Sequence, residues 1–203
     1  MTELTTPEAV RAHYGEPGDI VLRKELDAID KYCREFIAAS PFFVMATSDG
    51  KGRCDATPRG DPPGSVRVVD SRTLLIPDRK GNNRVDALMN IVANPHAGLL
   101  FIVPGMTETL RVNGRASITI DPKILTLMEE RGKPPCSVIR LEVEEVYFQC
   151  GKAMIRSELW NPERHVSRDA FTPFGKVLSE QCKIDYDPGL EDFIDEEYRN
   201  ALY

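Results

Sequence analysis

Tryptophan occurs once in the 203 residues of this chain and histidine three times. Apolar runs are short: none approaches the roughly 18 residues a bilayer-spanning helix needs, so no membrane segment is expected. The three histidines (His13, His96, His165) are isolated and form no pair at ligand spacing, which leaves little for a metal centre. The five cysteines (Cys33, Cys54, Cys136, Cys150, Cys182) are odd in number and contain no Cys-x-x-Cys. That argues against a disulfide frame or zinc site and for reduced thiols in a cytoplasm, most of them buried as small hydrophobes. Positive charge is also scarce, with 26 Lys and Arg against 32 Asp and Glu, a net charge of -6 and a pI near 5.2. A sequence-independent grip on DNA or RNA is therefore not expected, and an anionic ligand must be held by a local cluster of arginines. The first residues lack the basic and apolar regions of a signal peptide. Thr47 and Ser48 have no His/Asp partner visible in sequence, so a nucleophilic triad has no support.

What remains is ordinary globular material, 41% hydrophobic and 29% charged. It suits one domain over 1–203, with N-terminal helices in 6–39, a core over 40–160 and a helical extension over 161–203. Thr6-Pro7-Glu8 opens a first helix that Gly15 ends. A second helix is predicted over 24–39, where Leu26, Ile29, Cys33, Phe36 and Ile37 form an apolar stripe. From Phe42 the period becomes two. A hairpin over 42–58 turns at Asp49-Gly50, and a second joins 66–69 to 73–76. After a helix beginning near Asn82, strands follow at 97–103, 109–120 and 138–148, with a helix over 121–130 between the last two. In 109–120, apolar side chains alternate with Arg111, Asn113 and Arg115. About six strands with inserted helices predict an antiparallel barrel of the α+β class. Short docked helices are expected in the tail.

The chain converges on Thr73-Leu-Leu-Ile-Pro-Asp-Arg-Lys-Gly-Asn-Asn-Arg84, a strand, a loop and a helix start. Asn82 or Asn83 can cap that helix, and Arg79, Lys80 and Arg84 surround it with positive charge. Orphan N–H groups, the helix dipole and guanidinium together suit a phosphate; a capped surface helix with solvated charges is the plainer alternative.

Several strings follow one another in a familiar order: Phe42–Thr47, Asp49-Gly50, Pro58-Arg59-Gly60-Asp61, Thr73–Asp78, Gly81-Asn-Asn-Arg84, Asn94-Pro95 and Glu108–Ala116. In this they resemble the pyridoxamine 5′-phosphate oxidase-related FMN-binding split barrels, over roughly 40–160. The string Cys150–Trp160 is similar to the close of a bacterial subgroup of that superfamily. The resemblance implies an antiparallel split barrel and a homodimer with FMN at the subunit interface. It also implies FMN-dependent oxidoreductase activity on a small-molecule substrate, with NADH or NADPH as a candidate electron donor. The phosphate site falls on Asn82, Asn83 and Arg84. The ring site falls on Thr57, Pro58, Arg59, Ile76 and Pro77, and Trp160 matches an aromatic near the cofactor. The second-strand basic pattern is replaced by Arg53-Cys-Asp-Ala-Thr-Pro-Arg59. Arg164, His165 and Arg168 stand at a different spacing from the residues that grip the vitamin phosphate, so activity on pyridoxamine phosphate does not carry over.

Individual residues keep two readings. Arg59 is a cation for the reduced flavin or a loop arginine paired with Asp61. Arg111 serves the ribityl or phosphate, or forms a cross-strand pair with Glu108 or Glu142. Trp160 is a flavin wall or an interface anchor. The competing functions are a non-catalytic protein holding flavin, deazaflavin or haem, and an interaction module with an acidic tail.

Overall fold

The computed structural model describes residues 3–200, 202 and 203. Helix α1 (Pro7–Tyr14) begins where Thr6 Oγ1 accepts from Ala9 N–H at 3.2 Å, and a short α2 (Asp19–Arg23) follows. Helix α3 covers only Lys31–Ala39, not the whole of 24–39. Two things stop it from extending backwards. The Asp30 carboxylate accepts from Cys33 N–H at 2.8 Å, a helix cap. Upstream, Leu26 is drawn into a β-bridge with Val146, and Ile29 N–H donates to the Ser71 carbonyl at 2.7 Å. The apolar stripe is real, but tertiary pairing claims its first half.

Seven strands form one antiparallel sheet: β1 (Phe42–Ser48), β2 (Cys54–Gly60), β3 (Arg67–Val68), β4 (Thr73–Asp78), β5 (His96–Ile102), β6 (Thr109–Thr119) and β7 (Ser137–Gln149). Their order is β2-β1-β5-β6-β7-β4-β3. The prolines in strands fall where a missing N–H costs no ladder bond. Pro58 lies on edge strand β2, and Pro77 lies beyond the two residues of β4 that β3 pairs. The sheet does not close: β2 and β4 share no ladder, although the sheet curls until their side chains meet. The fold is an α+β split barrel.

Its interior is filled from alternate positions, Met45, Leu99, Phe101, Leu110, Val112, Ile139 and Leu141, against Phe36 and Ile37 of α3. Burying each such side chain contributes roughly 1.5–3 kcal/mol. Gly114 marks a register shift between β6 and β7. A Cβ there would stand 2.0 Å from the Glu142 carbonyl oxygen, so only glycine lets the strands approach this closely.

Helix α4 (Asp86–Ala93) starts later than the asparagines suggest. Asn82 Oδ1 accepts from Arg84 N–H at 3.1 Å, closing a local turn in place of a cap. Asn83 and Val85 then adopt left-handed backbone, with φ of 60° and 48°, so no helix can run through them. Helix α5 (Pro122–Leu127) is capped by Asp121, and α6 (Lys152–Ser157) follows β7. The tail carries two single 3-10 turns (Pro162–Arg164 and Arg168–Ala170) and then two helices, α7 (Phe174–Cys182) and α8 (Gly189–Asn200).

Candidate functional site

A cleft of about 580 Å³ opens at the split, between β2, the end of β4, the loop after it and the start of α4. Each wall has a local cause. Edge strand β2 has no partner beyond β1, so the side chains of Thr57 and Arg59 border open space. Strand β4 ends at Asp78, and the left-handed loop swings Asn82, Asn83 and Arg84 back over the opening.

Charges organise the cleft. The Arg59 guanidinium donates to the Asp78 carboxylate across the split, and both side chains are largely buried. Arg79 Nε lies 2.7 Å from Asp61 Oδ2, with Nη1 donating to the Met128 carbonyl at 3.0 Å. Tyr203 donates its hydroxyl to the other Asp61 oxygen at 2.9 Å. Burial, and then that bond to Asp61, raise the Tyr203 phenol above its ordinary value. At the outer rim Arg84 pairs with Asp86, whose hydrogen bond and charge raise the guanidinium's pKa. Two buried polar atoms in the lining, Arg59 Nε and Ser137 Oγ, have no hydrogen-bond partner among the described residues. Unmet donors of this kind are costly unless a ligand answers them.

Of the residues expected to hold a cofactor, Thr57, Pro58, Arg59, Pro77, Asn82, Asn83 and Arg84 line this one cleft. Ile76, Arg111 and Trp160 do not. Ile76 is 1% exposed in the barrel core. Arg111 donates to the Tyr147 hydroxyl at 2.9 Å, so neither Glu108 nor Glu142 is its partner. Trp160 Nε1 donates to the Met106 carbonyl at 2.7 Å, tying the end of α6 to the β5–β6 loop. Arg59 pairs with Asp78 and not with Asp61, because strand pairing carries β2 on through Gly60 and aims Arg59 across the split.

Asp78, Ser137 and Asp86 were not anticipated from the sequence. The only hint was the charge order, Arg59-Gly60-Asp61 facing Asp78-Arg79. The histidines stand elsewhere: none lines the cleft. Among the described residues no group of three or more His, Cys, Asp or Glu could hold a metal ion, and no helix is long and apolar enough to cross a membrane.

The family model described as pyridoxamine 5′-phosphate oxidase matches residues 29–150, more than half of the chain. The chain belongs to the pyridoxamine 5′-phosphate oxidase family. The match takes in every strand and every residue that lines the cleft. No curated protein matches the chain. Among solved structures, a histidine-to-alanine variant of HupZ from Group A Streptococcus is similar at 20% identity and a TM-score of 0.50, covering 60% of this chain and 99% of that one. A candidate pyridoxamine 5′-phosphate oxidase from Lactobacillus delbrueckii is 23% identical, at a TM-score of 0.49, covering 61% and 98%. An F420 reductase is 17% identical, at 0.44, covering 60% and 98%. At such identities the likeness is one of fold.

Proposed function

We propose that this member of the family is an FMN-dependent oxidoreductase acting on a small molecule. One observation carries the reading: a single cleft of about 580 Å³ gathers seven of the ten expected cofactor residues. The volume lies within the range of small-ligand sites, and the polarity is graded along it. At one end are the amide side chains of Asn82 and Asn83 and the Arg84 guanidinium, beside the N-terminus of α4, a setting suited to a phosphate. At the other, Thr57, Pro58 and Pro77 offer flat, mostly apolar surface to a ring, with Arg59 supplying a cation and an unmet N–H donor. A cation there favours the reduced, negatively charged state of a bound flavin. The flavin would supply the hydride or electron transfer, and the chain orients it and excludes water.

A homodimer is part of the proposal. The outer face of β1 and β5 exposes or half-exposes Phe42, Val44, Ala46, Leu100 and Ile102, apolar surface that a second copy would cover. NADH or NADPH is the proposed donor, and the cytoplasm, where the five free thiols persist reduced, the proposed location. Pyridoxamine phosphate is not the proposed substrate. Arg164 is paired with Glu158, and Arg168 is hydrogen-bonded within the tail, both away from the cleft.

Purified protein is expected to be yellow, or to become so on reconstitution with FMN, and to bleach anaerobically with NADH or NADPH. Protein that stays colourless with FMN overturns the reading. Uptake of a deazaflavin in its place would reassign the cofactor, and retention of flavin without turnover would reassign the role to binding.

A further inference from the structure

The charges along the cleft cancel. Arg59 is paired with Asp78, Arg79 with Asp61 and Arg84 with Asp86. Lys80 and Asp55 complete the charged lining; they balance in formal charge, but among the described residues neither is in an ion pair. A doubly charged phosphate entering this cleft meets no net positive charge, and any of the three arginines can turn to it only by leaving its carboxylate.

The three pairs differ in what that exchange costs. In the Arg59–Asp78 and Arg79–Asp61 pairs the side chains are between 7% and 19% exposed. Separating either would strand a carboxylate away from water. Arg84 is 79% exposed and Asp86 37%, so solvent replaces either partner at small cost. Asp86 is moreover the first residue of α4, where free N–H groups and the positive dipole end accommodate its carboxylate once the arginine leaves. Among the described residues, Asp55 of β2 is the other acid whose charge bears on Arg84.

We propose that Asp86 is the specificity-determining residue of this site. It holds Arg84 in the ligand-free protein and releases it to a terminal phosphate monoester. Its own charge sets how strongly a phosphorylated ligand is preferred over the same ligand without phosphate. The inference rests on the flavin reading above and deepens it.

The test titrates FMN and riboflavin against the parent and Asp86→Asn by quenching of flavin fluorescence, at low and high salt. FMN is expected to bind about three- to tenfold more tightly to the variant, the scale of an exposed ion pair and its repulsion, with riboflavin unchanged within about twofold. The gain shrinks at high salt and falls by at least about half in an Arg84→Ala background, where there is no arginine left to release. Asp86→Ser, which keeps a good helix-start residue, gives the same shift. If FMN and riboflavin shift together, or neither shifts, Asp86 only supports the helix start; the inference is overturned and the flavin reading stands. If the parent binds neither, the flavin reading falls and this inference with it.

Discussion

The Arg59 guanidinium of β2 donates to the Asp78 carboxylate of β4, two strands that share no backbone ladder. Asp61, two positions after Arg59, takes Arg79, the residue after Asp78. Two ion pairs thus bridge the split, where backbone hydrogen bonds run out. Because these residues also line the cleft, one network serves both the closure of the sheet and the shape of the site.

Asp78→Ala leaves the Arg59 guanidinium without its partner in a mostly buried seam. Unfolding in urea is expected to show a loss of about 3 kcal/mol, with most of it recovered when Arg59→Met is added. A loss below about 1 kcal/mol, or no recovery in the double variant, would show that the pair does not hold the split together.

Gly114→Ala sets a methyl group against the Glu142 carbonyl, which a Cβ would approach to 2.0 Å. Strands β6 and β7 must part at the register shift, and the expected cost is about 3 kcal/mol in thermal or urea unfolding. Ser117→Ala, on the exposed face of the same strand, is the control and should be near neutral.

Burial, and then the neighbouring Asp30, push the Cys33 thiol up to about 12 from 9.0. Below pH 9 the thiol is protonated in both states and its contribution is intact. Between 9 and about 12 the unfolded chain ionises while the folded one does not, so stability falls as pH rises through that window. Cys33→Ala should flatten this part of the pH profile. In native protein, iodoacetamide should modify the exposed Cys54, Cys136, Cys150 and Cys182, and reach Cys33 only after unfolding. Early labelling of Cys33 by mass spectrometry would contradict its placement.

Arg84→Ala removes the exposed guanidinium at the phosphate end of the cleft. FMN affinity should fall about tenfold or more with riboflavin nearly unchanged, as expected for a lost charge-assisted bond. Equal affinities for parent and variant in a fluorescence titration would remove Arg84 from the site.

The hairpins, the long β6 and the caps at Thr6 and Asp121 were legible because each depends on residues a few positions apart. The start of α3 was not. Leu26 and Ile29 lie on a perfect helical stripe, but their backbone groups are taken by Val146 and Ser71, far along the chain. The start of α4 was misplaced for a local reason: a side-chain turn at Asn82 and two left-handed residues outweighed the capping preference.

The sequence alone determined the antiparallel α+β pattern and the cluster of Asn82, Asn83 and Arg84, since alternation and turn chemistry are short-range. Only the tertiary structure decided which charges meet. Arg59 sits two positions from Asp61 yet pairs with Asp78, nineteen residues away in the chain, because curling of the sheet carries β2 across to β4. It is the same curling that leaves a cleft instead of a closed barrel. Local preferences act over a few residues, whereas the position of a sheet edge depends on every strand between it and the other edge.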